Sequence, residues 1–146
     1  MPSLEVLVIG RHVVPGDKNY EARAKIAEMI LSRPDQINLT QLADRATLQE
    51  MSGIDLATVD GSVGFLKLKP DFVIYIVDDV FNVECFYLFH LAYSYFERNK
   101  QQGRILLIKM SDESQEAGLS LVEKTIVWHH PEPAEKLAQF IDQMYQ

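Results

Sequence analysis

At 146 residues, 47% of them hydrophobic, the chain is long enough to bury one sizeable core and too short for two ordinary domains, so residues 1–146 are read as one domain. A formal charge of −7, with no Lys/Arg block to offset it, disfavours binding to duplex nucleic acid and to anionic lipid. Cys85 is the single cysteine, which excludes an internal disulfide, and the opening Met1-Pro2-Ser3-Leu4-Glu5 lacks the basic and apolar stretches of a secretion signal, so a cytoplasmic location is expected.

Leu4 to Ile9 is a β-branched run closing on Gly10, and a run without alternation suits a strand covered on both faces. After a loop containing Pro15 and Gly16, Asp17 is placed to accept from the amides that open a helix; Ile26, Met29 and Ile30 recur at helical spacing as far as Ser32, and Arg33-Pro34 stops the pattern. Leu39, Leu42, Ala43 and Ala46, at mixed spacing, are read as a second helix from Asn38 to Glu50, ended by Ser52-Gly53. Gly61 and Gly64 mark a turn, and Phe65-Leu66-Lys67-Leu68-Lys69 fits either an extended segment or a helical turn before Pro70.

Phe72 to Val77 is a dense β-forming run that stops at Asp78 and Asp79, which predicts a central strand. Asp79 is the expected N-cap of the next helix, running through Glu84, Phe86, Phe89, His90 and Tyr93 to Arg98-Asn99-Lys100. Its polar members, Asn82, Glu84 and His90, are costly against lipid, so it reads as a helix of a water-soluble domain and no membrane partner is expected. It is apolar nearly all round, so it is expected to be sandwiched inside the domain or shared in a homo-oligomer through residues 80–98. Ile105 to Ile108 and Thr125 to Trp128 read as further strands, and Pro133 opens a last amphipathic helix with Leu137, Phe140, Ile141 and Met144 on one stripe. This alternation gives the expected fold class: α/β, a doubly wound parallel sheet of about five strands with helices on both faces.

Ligands of such sheets bind beyond the carboxyl ends of the strands, where the loops converge. Four segments meet that condition: Gly10-Arg11-His12, Asp78-Asp79, Met110-Ser111-Asp112 and His129-His130. Glu84 joins them from the first turns of the helix after Asp79, so that two carboxylates, Asp78 and Glu84, can face one cleft with their pKa values pushed apart, one serving as nucleophile and the other as proton donor or acceptor. A cap explains Asp79 and a solvated loop explains Arg11 and His12 equally well, whereas an ionised Glu84 between Val83, Cys85, Phe86 and Tyr87 requires a partner or a cleft.

Asp78, five intervening residues and Glu84, at a strand end and in the helix after it, resemble the nucleoside 2-deoxyribosyltransferases, as do the strand Ile105 to Ile108 and the opening strand–loop–helix through Tyr20 to Ser32. The resemblance implies a nucleoside or nucleotide substrate, Glu84 attacking its anomeric carbon to form a covalent glycosyl-enzyme, and Asp78 assisting at sugar and base. It implies a leaving-base role for Asp60. Beside it, Gly10, Arg11, His12, Asp79 and Tyr87 are read as substrate-binding, Arg11 and His12 suiting a substrate phosphate or carboxylate, and no cofactor is expected. NAD-cleaving domains of the Toll/interleukin-receptor type are also similar in using a helix glutamate after a strand. Where the nucleoside 2-deoxyribosyltransferases have small residues before the glutamate, this chain has Val80-Phe81-Asn82-Val83, and Phe81 and Tyr87 are bulky enough to fill the pocket, so the alternative is a non-catalytic nucleotide-sensing or protein-interaction module of the same fold.

The remaining motifs carry less. Neither G-x-G-x-x-G nor G-x-x-x-x-G-K-[ST] occurs, so the usual phosphate cradles are missing. His129-His130 with Asp78 and Asp112 make a poor ligand set, and no metal is expected. Cys85 points about a hundred degrees around the helix from Glu84 and is read as a small packing residue.

Overall fold

Runs rich in Val, Ile and Leu become strands here because both of their faces are covered. The protein is described by a computed structural model in which residues 4–32, 37–53, 55, 62–77, 82–98, 101, 104–110, 124–128 and 133–143 are described. In chain order the elements are β1 (Leu4–Ile9), α1 (Tyr20–Ile30), β2 (Ile37–Leu42), α2 (Arg45–Ser52), α3 (Ser62–Leu68), β3 (Phe72–Val77), α4 (Val83–Arg98), β4 (Ile105–Lys109), β5 (Lys124–Val127) and α5 (Pro133–Gln143). The five strands form one parallel sheet in the order β2-β1-β3-β4-β5, with Leu4 opposite Ile37, Val6 opposite Phe72, Val73 opposite Ile105 and Leu106 opposite Lys124. The expected doubly wound α/β fold is therefore present.

Successive strand residues point to opposite faces, which divides the core in two. Leu7, Ile9, Val73, Tyr75, Val77, Ile105 and Leu107 meet Leu48 of α2, Phe65 of α3 and the inner side of α4. Val6, Val8, Ile74, Ile76, Leu106, Ile108 and Ile126 meet Ile26 and Ile30 of α1 and Leu137, Phe140 and Ile141 of α5. Burying each such side chain fully is worth about 1.5–3 kcal/mol, whereas a helix cap is worth about 1 kcal/mol, so these two interfaces dominate the stability of the fold.

The apolar girth of α4 is accounted for largely within the chain. Leu88, Phe89, Ala92 and Phe96 face the sheet, with the Phe89 ring stacked on Tyr75 at 5.0 Å between centroids, and Phe65 of α3 lies 6.4 Å from Tyr95 on the side of α4. Among the described residues no helix is long and apolar enough to cross a membrane.

The segment expected to be one helix from Asn38 to Glu50 is β2 followed by α2. β2 is an edge strand, so its solvent positions hold Asn38 and Gln41, and the leucines left over imitate helical spacing. Asp44 opens α2, its carboxylate accepting from the Thr47 amide and hydroxyl, both at 2.8 Å, and Gly53 closes it in the left-handed region at φ 72°. Phe65–Lys69, left open between strand and helix, lies in α3 and the residue after it; Lys69 turns left-handed (φ 49°) immediately before Pro70, ending the helix where proline could not continue it.

Two expected caps also differ. Asn19 precedes α1 and makes no side-chain capping bond, while Asp17, three positions before Tyr20, accepts the Asn19 amide at 2.9 Å and is also engaged by Arg11. Helix α4 opens at Val83, and Asn82 rather than Asp79 caps it by accepting the Cys85 amide at 3.0 Å. The expected stop at Arg33-Pro34 and the turn at Gly61 lie outside the described residues.

Candidate functional site

From β1 the chain goes outward through α1 to β2 and returns past β1 to β3 by way of α2 and α3 on the other face of the sheet. That reversal makes the β1/β3 boundary the topological switch point, and in sheets of this strand order the ligand crevice lies there, at the carboxyl ends of the strands.

Gly10 ends β1, its amide bonded to the Leu42 carbonyl at 3.0 Å. The guanidinium of Arg23 lies directly against it: a Cβ at Gly10 would stand 3.0 Å from one terminal nitrogen of Arg23 and 3.2 Å from its central carbon. Arg23 is 7% exposed, on the side of α1 that also carries Ile26 and Ile30, and it donates to the Arg11 carbonyl at 2.8 Å. Arg11 in turn holds Asp17 through two bonds of 2.7 and 3.1 Å. The Arg11 hydrogen bonds, helped by the Asn19 amide, lower the Asp17 carboxyl from 3.8 to about 2. Arg23 thus ties the loop after β1 to α1, and Arg11 braces the loop through Asp17.

On the other face the site is built from the start of α2, just after β2, and the start of α4. The ends of β2 and β3 flank β1, and the contacts that follow bridge them. Arg45 grips both oxygens of Glu84, Nε to Oε2 at 2.9 Å and a terminal nitrogen to Oε1 at 3.2 Å, with its guanidinium carbon 5.2 Å from the centre of the Tyr87 ring. The two side chains are 54% and 36% exposed, so water screens the pair and it exchanges readily for other partners. Glu84 also raises the Arg45 pKa further above its ordinary value, through hydrogen bonding first and charge second. Beneath the pair, the buried Cys85 thiol donates to the Ala43 carbonyl at 3.4 Å. Beside it, the Thr47 amide and hydroxyl hold the Asp44 carboxyl below its usual range, with a smaller contribution from the charge of His12.

Of the residues expected from sequence, Gly10, Arg11, His12, Glu84 and Tyr87 are brought to this edge. Asp78, Asp79 and Asp60 lie outside the described residues, as do Phe81, Ser111, Asp112, His129 and His130. Among the described residues no cluster of three or more His, Cys, Asp or Glu side chains suits a metal ion. Glu84 has the partner its apolar surroundings demand, and that partner is Arg45.

Sequence reasoning missed Arg23 and Arg45. Arg23 was legible, because it stands three and seven residues before Ile26 and Ile30 on one helical stripe, where a charge needs a reason. Arg45 was hidden by reading β2 as helix: once a strand ends at Leu42, Asp44-Arg45 falls at the same sheet edge as Gly10.

Chemically, the arrangement offers a partly exposed carboxylate in the first turn of α4, held by a guanidinium, at the carboxyl-end edge of the sheet. No protein-family model matches the chain, and no curated protein matches it.

Proposed function

We propose that the chain cleaves or transfers the N-glycosidic bond of a nucleoside or nucleotide, with Glu84 as nucleophile. The observation that carries the reading is the position of Glu84: it stands in the first turn of the helix after β3, beside the β1/β3 boundary, ion-paired with Arg45. A glycosidase nucleophile attacks as its carboxylate. In the first step a Glu84 oxygen forms a bond to the anomeric carbon while the C–N bond breaks and its electron pair leaves with the base, which takes up a proton from Asp78. In the second, water or an acceptor base attacks the same carbon, giving its proton to Asp78, and Glu84 departs as carboxylate. Attack needs one oxygen released from Arg45, and the exposure of the pair makes that exchange easy.

A non-catalytic nucleotide-sensing reading is favoured by one observation: both Glu84 oxygens are occupied, and the Cys85–Ala43 contact draws α4 over toward the end of β2. Incubation with deoxynucleosides, nucleotides and NAD, followed by chromatography for free base, separates the two. Base release by wild type that is lost in Glu84→Ala is the expected result; release unchanged in Glu84→Ala, or none from any substrate, sinks the enzymatic reading. Thermal stabilisation by a nucleotide without turnover then speaks for sensing. For self-association the proposed surface is the outer side of α4, where Val83 is 66% exposed, and a solution mass matching one chain refutes it.

A further inference from the structure

On the face opposite Glu84, between α1 and the edge of the sheet, lies a pocket of about 220 Å³ that no step of the proposed reaction uses. It exists for a reason visible in the sequence. α1 presents the small residues Ala24 and Ala27 toward β2, and β2 answers with Gln41 where an apolar residue would have filled the space. The floor is apolar and buried, made of Val8, Ile26 and Ile76.

Arg23 is among the lining residues, its guanidinium held by the Arg11 carbonyl at 2.8 Å and close against Gly10. The mouth carries Tyr20, 37% exposed, and the Gln41 carboxamide, and among the described residues neither side chain is hydrogen-bonded. A carboxamide offers a donor and an acceptor side by side, which pairs with a ring edge bearing the complementary two. Size narrows the choice further. An apolar cavity of about 150 Å³ holds one benzene ring, so this one accommodates a molecule of one or two fused rings.

From these features we infer that the α1–β2 pocket binds a flat heteroaromatic molecule of one or two rings with an adjacent hydrogen-bond donor and acceptor on one edge. The ring lies on the Val8–Ile76 floor, and its polar edge faces Gln41. A recess lined by apolar side chains and left to water is unfavourable, and a ring restores the contacts missing there. The site is independent of the chemistry proposed for Glu84, which belongs to the α4 face.

The test is a chemical-shift titration of the full chain with adenine, which carries the paired edge, and with indole, which has the same two-ring size without it. Adenine is expected to shift the amides of Ala24, Ala27, Leu39 and Gln41. Gln41→Leu should weaken adenine by about tenfold, the loss expected for one bidentate pair, and leave indole within about twofold. Ala27→Leu, a change to a strong helix former that occupies the recess, should abolish both, while Glu84→Ala should leave both unchanged. Melting curves confirm that each variant is folded. Adenine shifts that map away from α1 and β2, no saturable shift at millimolar adenine, an unchanged adenine affinity in Gln41→Leu, or an unchanged affinity in Ala27→Leu would each overturn the inference.

Discussion

Gly10→Ala tests whether the switch point is as tightly built as the structure indicates. Gly10 has no positive φ, so an alanine meets no backbone strain there, and the three described heavy atoms nearest its Cβ all belong to Arg23, at 3.0, 3.2 and 3.3 Å. The guanidinium must retreat by a few tenths of an ångström, but Arg23 is buried and its guanidinium is bonded to the Arg11 carbonyl at 2.8 Å, so retreat stretches that bond or strains the loop. Overpacking of this kind costs about 1–3 kcal/mol. Replacing glycine with alanine also restricts the unfolded chain, which returns about 0.4–1 kcal/mol. The net expectation is a loss of roughly 1–2 kcal/mol, or a fall of about 0.5–1 M in the urea midpoint if the slope is near 2 kcal/mol/M. Arg23→Met removes the obstacle, so adding Gly10→Ala to that background should be neutral or slightly stabilising, a coupling a double-mutant cycle reads directly. An equal loss in both backgrounds would refute the account of Gly10, and with it the claim that Arg23 is pressed against the end of β1.

Two further outcomes follow from groups at the same edge and on α2. The folded-state pKa of Asp17 is depressed to about 2 from 3.8, so its contribution to stability is complete above about pH 4 and is lost as pH falls from 4 toward 2; Asp17→Asn should flatten the stability–pH slope in that window, and an unchanged slope contradicts the Arg11 pairing. Gly53 caps α2 at φ 72°, and among the described residues nothing crowds its Cβ position, so Gly53→Ala should cost about 1 kcal/mol through backbone strain and Gly53→Asn distinctly less, measured by urea denaturation; equal costs would contradict the left-handed cap.

The buried strands were legible because burial on both faces leaves an unbroken β-branched signature: β1, β3 and β4 read directly from Leu4–Ile9, Phe72–Val77 and Ile105–Ile108. β2 was not, because an edge strand shows half of its residues to water and its remaining leucines fit either period. α3 was left open since a seven-residue helix spans barely two turns, too short for periodicity to decide. At the site, Glu84 could be singled out because a carboxylate among Val83, Cys85, Phe86 and Tyr87 demands an explanation. Its partner could not, since Arg45 is 39 residues away and is delivered only by the excursion of β2 to the sheet edge.

The central claim is that the Glu84 carboxylate bonds covalently to a sugar. Intact-mass spectrometry after incubation with a 2′-deoxy-2′-fluoronucleoside, followed by peptide mapping, tests it most directly, because the fluorine slows breakdown of the glycosyl-enzyme. The account predicts a single added fluorosugar on the peptide containing Glu84 and none on Glu84→Ala. Free base without any adduct, an adduct on another residue, or a wild-type mass that never changes would contradict it.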